Sequence, residues 1–168
     1  MKAITIQQPW ASLIAFGDKK FETRTWRTNY RGPIAIHAAK QIDPDVFQFL
    51  LCKLSTMDEL EKCGITPKRL KELPTGAVIA TAELVDVWIM GMGPSSPYAR
   101  DSIFQARRLP YSDDFFVPTE KERAFGNWIP GNYAWQLENV KILPKPIPAK
   151  GQQGLWNWEP EREGAKTT

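Results

Sequence analysis

The sequence predicts an α+β fold: a small mixed β-barrel with helices on its outside. Three observations point there. Segments with strand-like hydrophobic patterns outnumber core-facing helical ones. Their order is β-α-β-β, then short helices, then three more strands, a spacing that suits a small mixed barrel. No internal repeat or composition break divides the chain. At 168 residues it makes one domain, long enough to bury about two thirds of its unfolded surface. We expect that domain over residues 1–158, with a loop or lid insertion at about 89–130 and a polar, disordered tail at 159–168.

Lys2 to Gln7 alternates Ala3 and Thr5 against Ile4 and Ile6, the pattern of a first strand. Gln8-Pro9 opens a short helix, with Pro9 at the first helical position, where its missing N–H costs nothing. Trp10, Leu13 and Ile14 recur at helical spacing, and Gly17 closes the helix as a left-handed cap. From Lys20 the period becomes two. Phe21, Thr23 and Thr25 share one face, and Lys20, Glu22, Arg24 and Trp26 share the other. A face carrying Glu, Arg and Trp must meet solvent or a polar pocket. Asn29-Tyr30-Arg31-Gly32 is a turn, and Pro33 to Ala38 returns as a strand with Ile34, Ile36 and Ala38 inward. His37 lies on the other face, where a lone histidine is either a structural hydrogen bonder or a catalyst.

Asp43-Pro44 starts a helix through Leu54, Thr56-Met57-Asp58-Glu59 is a capping box for a second, and Thr66-Pro67 starts a third that Pro74 stops. Gly76 to Trp88 is the strongest strand: Ala77 to Ala82 is nearly continuous apolar sequence, as for burial on both faces, and Glu83 and Asp86 mark its exposed end. After Trp88 the composition turns to Gly, Pro and Ser, and only short helical pieces are expected up to Gly131, Thr119 to Glu122 among them as a second capping box. So long an excursion is either a lid over one end of the barrel or a disordered insert. Asn132 to Leu143 is a strand whose parity changes at Glu138-Asn139, predicting a bulge. Pro144, Pro146 and Pro148 form an extended connector, and Gly154 to Trp158 is the last strand.

Composition excludes several classes. No apolar run reaches the length of a membrane span, and Met1 to Ile6 turns polar too soon for a signal peptide, so a cytoplasmic protein is expected. Cys52 and Cys63, with one histidine in the chain, cannot complete a zinc site without carboxylates, so no metal and no cofactor is expected. There is no phosphate-binding glycine-rich loop and no nucleophile elbow. The net charge of +3 is carried by one segment, Gly17 to Gly32, where Lys19, Lys20, Arg24, Arg27 and Arg31 face Asp18 and Glu22. A basic stripe interleaved with aromatics suits an anionic, planar-ringed ligand such as a nucleotide or RNA. It also suits a solvated strand edge whose charges keep it soluble. Both readings stand at this point.

Gln8-Pro9-Trp10-Ala11, then Gly17-x-Lys19-x-x-Glu22-x-Arg24, Trp26, Arg31-Gly32 and Ile34-x-Ile36-His37 occur in one order. Gly131 to Trp135 and Lys150-Gly151-x-x-Gly154-Leu155-Trp156 follow. In these residues the chain resembles the ASCH domain family from about Met1 to Trp158. The resemblance implies a PUA-like β-barrel, a cleft lined by the Gly-x-Lys-x-x-Glu-x-Arg segment, and an RNA-related role. Some small members deacetylate N4-acetylcytidine with the motif Lys, a Thr three residues on and a distant Glu. Here Lys19 matches the Lys, Glu22 stands where the Thr would be, and Glu83 is the candidate for the distant Glu. A carboxylate does not replace a hydroxyl nucleophile.

The expected function is binding of RNA or a nucleotide-type ligand. Gln8, Trp10, Lys19, Glu22, Arg24, Trp26, Arg27 and Arg31 are the binding candidates: arginines on phosphate or base edges, Trp26 or Trp10 stacking, and Glu22 accepting from an exocyclic amine. The alternative is an amidohydrolase on a modified cytidine using Lys19 and Glu22, with Glu83 as a third member. A partner-binding module is the third reading. Strand parity places Lys20 rather than Lys19 beside Glu22 and Arg24, unless the chain bends just after Gly17.

Overall fold

The computed structural model describes residues 1–42, 54–92, 104–108 and 115–160. The elements are β1 (Lys2–Ile6), α1 (Trp10–Ala15), β2 (Phe21–Arg24), β3 (Gly32–Ala38), α2 (Leu54–Lys62), α3 (Pro67–Leu70), β4 (Ala77–Met92), β5 (Phe104–Arg108), β6 (Phe115–Phe116), α4 (Glu120–Phe125), β7 (Tyr133–Pro148) and β8 (Leu155–Asn157). One mixed sheet holds the strands in the order β2-β7-β4-β3-β1-β8, with β5 on the far half of β4 and β6 on β5. β1 and β3 run parallel and the other pairs are antiparallel. The fold is α+β as the sequence predicts. Its sheet curls around the core but does not close into a barrel, because β2 and β8 end the hydrogen-bonded path without pairing.

The core follows the period-two patterns. Ile4, Ile6, Ile34 and Ile36 are buried with Leu84, Val87 and Trp135, and α1 covers them with Ala11, Ile14 and Ala15. Each aliphatic side chain so placed stabilises the fold by about 1.5–3 kcal/mol relative to exposure. The opposite face of β1 and β3 is buried too. Ala3 and Ala35 pack with Val78, Trp156 and Trp158 there, and His37 lies edge-on to Trp156 with its Nε2 3.0 Å from the Ala149 carbonyl oxygen.

Several expectations change. β4 runs past Trp88 to Met92, and Asp86, expected at an exposed end, is buried, its carboxylate 3.2 Å from the Arg31 guanidinium. The register of β4 against β7 shifts at three places, so this long pair bends rather than stops. One of those shifts sets three residues of β4, Thr81 to Glu83, against four of β7, Glu138 to Lys141, with Asn139 at φ 50°; this is the bulge that the parity change predicts. The stretch after Trp88 holds β5 and β6 as well as α4, where only helical pieces were expected. The prolines at 144, 146 and 148 lie inside β7. α2 already runs at Leu54, so Thr56 is not its cap; its hydroxyl donates instead to the Ala124 carbonyl at 3.2 Å. Thr66 does cap α3, accepting from the Arg69 N–H. The helix expected from Asp43 and the thiol of Cys52 lie outside the described residues; Cys63 is a free thiol. No described helix is long and apolar enough to cross a membrane.

Candidate functional site

Gly17 decides how the motif is presented. At φ 82° it takes the left-handed conformation that glycine adopts without strain, and the next two N–H groups, of Asp18 and Lys19, both donate to the Leu13 carbonyl. The chain thus doubles back before β2 begins at Phe21. This bend turns Lys19 inward and leaves Lys20 exposed, which resolves the parity question in favour of Lys19. The Lys19 ammonium is 1% exposed and donates to the Phe21 carbonyl. Burial strips its water and lowers its pKa below the ordinary lysine value; Glu22 and Glu122 pull it back up, and Arg24 adds to the lowering.

On β2, Glu22 and Arg24 lie side by side as strand parity requires. The Glu22 carboxylate is 3.0 Å from Arg24 Nε, and Arg24 Nη2 donates to the Thr5 carbonyl at 2.7 Å, tying β2 to the end of β1. A third charged group comes from far along the chain. Glu122 accepts from the Lys20 backbone N–H at 2.6 Å, and burial raises its carboxyl pKa against the opposing pull of Lys19 and of the Lys20 and Phe21 N–H groups. Thr119 caps α4 by accepting from the Glu122 N–H, but the Glu122 side chain reaches β2 instead of turning back to the cap. The Asn127 N–H donates to Thr23 Oγ1 at 2.9 Å and Trp128 Nε1 to the Glu122 carbonyl at 2.7 Å, so α4 and the residues after it are fastened along β2.

Between these elements lies a cleft of about 510 Å³. Thr5, Ile6, Gln7 and Trp10 form the wall from β1 and α1; Glu22, Thr23 and Arg24 form the floor; Phe125, Gly126 and Asn127 form the wall from α4. That size falls in the range of small-molecule sites, and the cleft opens where the parallel pair β1 and β3 ends. Among the described residues no group of three His, Cys, Asp or Glu side chains could hold a metal ion.

A scan of family models matches the ASCH domain to residues 4–141, most of the chain. The chain belongs to the ASCH domain family. A comparison with curated proteins finds no match. In this ASCH domain the motif residues are not all gathered at the cleft. Trp10, Glu22 and Arg24 line it, and Lys19 lies buried beside Glu22. Gln8 is fully buried, its Oε1 accepting from the Ser12 N–H and its Nε2 donating to the Pro74 carbonyl, so it holds the first turn of α1, whose cap position is Pro9, and anchors a loop. Trp26 is past the end of β2 and packs edge-on against Trp135 in the core, ring centroids 4.6 Å apart. Arg27 is exposed and does not line the cleft, and Arg31 is held by Asp86 and by the carbonyls of Thr28 and Tyr30. Glu83 is exposed, accepts from Asn139 at 2.8 Å and does not line the cleft. The sequence-distant carboxylate that acts on Lys19 is that of Glu122. Sequence reasoning missed Gln7, Thr23, Glu122 and Asn127. Only Gln7 had a signal, since it directly precedes the Gln8-Pro9-Trp10-Ala11 motif at the end of β1.

Proposed function

We propose that this ASCH domain binds one neutral, hydrogen-bonding ring, the base of a nucleoside, a nucleotide or a single RNA residue, in the cleft floored by Glu22 and Arg24. The observation that carries this reading is the charge balance of the floor. One carboxylate and one guanidinium sit 3.0 Å apart, with the further pair Lys19 and Glu122 buried beside them. A phosphate placed there would gain Arg24 and meet Glu22, for little net attraction. A base edge uses both, since a carboxylate only accepts and a guanidinium only donates. Trp10 on one wall and Phe125 on the other supply the apolar surface that a ring needs. Arg27 and Arg31, away from the cleft, are available for the phosphates of a longer RNA only as general electrostatic attraction.

Isothermal titration with the four common nucleosides and with inorganic phosphate tests the reading. We expect heat with at least one nucleoside, none with phosphate, and a loss of tenfold or more in Glu22→Gln and in Arg24→Met. Binding of phosphate alone, or nucleoside binding indifferent to both substitutions, would refute it.

One observation favours a second reading, an amidohydrolase acting on an N4-acylated cytidine. Lys19 is desolvated, and burial lowers its pKa towards that of a usable base, against the pull of Glu22 and Glu122, which favour the ammonium. Against it, the Lys19 ammonium does not line the cleft and there is no hydroxyl at Glu22. Incubation with N4-acetylcytidine followed by mass spectrometry decides: absence of cytidine at high enzyme concentration removes this reading and leaves the first intact.

A further inference from the structure

Two polar atoms in the wall opposite Glu22 and Arg24 are left without partners. Among the described residues, Gln7 Oε1 and Trp10 Nε1 are buried and make no hydrogen bond. Both belong to residues that line the cleft, and because the two atoms are covered from solvent they meet a ligand when their side chains turn towards it. The other buried side-chain atoms in this condition are Ser12 Oγ, Arg24 Nε, His37 Nδ1 and Glu122 Oε2; of these only Arg24 lines the cleft, and its Nε is ion-paired with Glu22. A buried donor or acceptor without a partner costs stability, so folded proteins keep few of them, and those that persist often have a functional reason.

The backbone holds these two side chains together. The Gln7 carbonyl accepts from the Ala11 N–H at 3.1 Å, which makes Gln7 part of the first turn that leads into α1. Gln7 and Trp10 stand at the two ends of that turn and line the same cleft. The adjacent Gln8 amide is fully engaged with Ser12 and Pro74, so the turn itself does not need the Gln7 amide for support. Trp10 has a ring to lie against a ligand and an N–H that can only donate; Gln7 Oε1 can only accept.

We propose that Gln7 and Trp10 are the specificity-determining pair of this cleft, taking an N–H donor and an acceptor from the edge of the ring that Glu22 and Arg24 do not hold. The inference rests on the nucleobase reading above and narrows it: the ligand is a nitrogen heterocycle with hydrogen-bonding groups on two edges. A ring with one polar edge leaves the Gln7 and Trp10 atoms unpaired beneath it. Such unpaired groups discriminate between ligands far more strongly than apolar contact does.

The test uses adenosine, guanosine, cytidine and uridine against the full chain and the variants Gln7→Leu and Trp10→Phe, the second of which keeps an aromatic face and loses the N–H. We expect the unmodified protein to prefer one nucleoside by roughly tenfold or more. Each variant should lose most of that preference, with affinity for the disfavoured nucleosides changed by less than about threefold. The ligand-free Gln7→Leu protein should melt no lower than the unmodified one, because the oxygen it removes has no partner to lose. If both variants keep the preference, or weaken all four nucleosides alike, or if Gln7→Leu melts several degrees lower, the pair does not determine specificity, while the Glu22 and Arg24 reading stands. If no nucleoside binds the unmodified protein, the nucleobase reading itself falls, and the titration of the unmodified protein shows this independently of either variant.

Discussion

Gly126→Ala is a small perturbation with a large expected effect, because the wall of the cleft is built against that glycine. A Cβ there would lie 2.6 Å from Trp128 Nε1 and 2.9 Å from Thr23 Cγ2. The backbone angles of Gly126, φ −130° and ψ 161°, are ordinary extended values, so the alanine is not strained in itself. The cost comes from its neighbours. Trp128 is buried and its N–H donates to the Glu122 carbonyl; Thr23 is held by the Asn127 N–H. Making room by overpacking costs about 1–3 kcal/mol, and breaking the Trp128 bond costs about 1–3 kcal/mol more. Against this, removing a glycine from the unfolded chain returns about 0.4–1 kcal/mol. The net expectation is a loss of about 1–5 kcal/mol, read as a lower midpoint in urea unfolding with an unchanged slope. The control is Gly91→Ala, whose Cβ would meet nothing within 4 Å; it should be neutral or stabilising by up to about 1 kcal/mol. If the two alanines behave alike, the segment from α4 to Trp128 is not packed on β2 as described, and the cleft loses its second wall.

Other consequences follow from the charges. Because the folded pKa of Lys19 is below its unfolded value, the unfolded chain holds more protons between the two, so stability climbs with pH across that window up to about 10.5; urea midpoints measured against pH should show this climb, and Lys19→Met should lack it. His37 is buried and its pKa is lowered by desolvation against the bond to Ala149. The unfolded chain therefore takes up the proton first, and stability should fall as pH drops through about 6.5, a component that is absent in His37→Gln. A pH profile unchanged by either substitution would contradict its assignment. The Lys121 to Asp18 pair, at 2.5 Å, is partly exposed on both sides, so Lys121→Ala should change stability by less than about 1 kcal/mol in the same urea assay. A larger loss would mean that this bridge, rather than Glu122 and Asn127, fastens α4.

Where local chemistry decides, the sequence was readable. The alternation of Ile4, Ile6, Ile34 and Ile36 gives the core face of two strands, the change of parity at Glu138-Asn139 gives the bulge, and Gly17 gives the turn that brings in Lys19. Parity also set Glu22 beside Arg24. It failed one step further on, at Trp26, because β2 ends at Arg24 and the chain bends before the tryptophan. β5 and β6 were missed because strands of five and two residues carry too little alternation to be distinguished from loop. That the sheet stays open was not legible, because nothing in a strand's own pattern says which strand will lie beside it. Glu122 is the most instructive miss. As the fourth residue of Thr119-x-x-Glu122 it has a local explanation, and only the folded chain reveals that its carboxylate serves the Lys20 N–H, 102 residues away, rather than its own cap. The site is therefore half legible: the residues on β2 come from the motif, while the opposing walls come from tertiary packing.

The central claim, that a neutral ring sits between Trp10 and the Glu22 and Arg24 pair, is tested most directly by following the indole N–H of Trp10 and the Nε–H of Arg24 by nitrogen-15 NMR during a nucleoside titration. The account predicts that both signals move together, saturably, with one nucleoside more than the others, while the side-chain signals of Arg27 and Arg31 stay in place. Movement confined to Arg27 and Arg31, reproduced by inorganic phosphate, would contradict it.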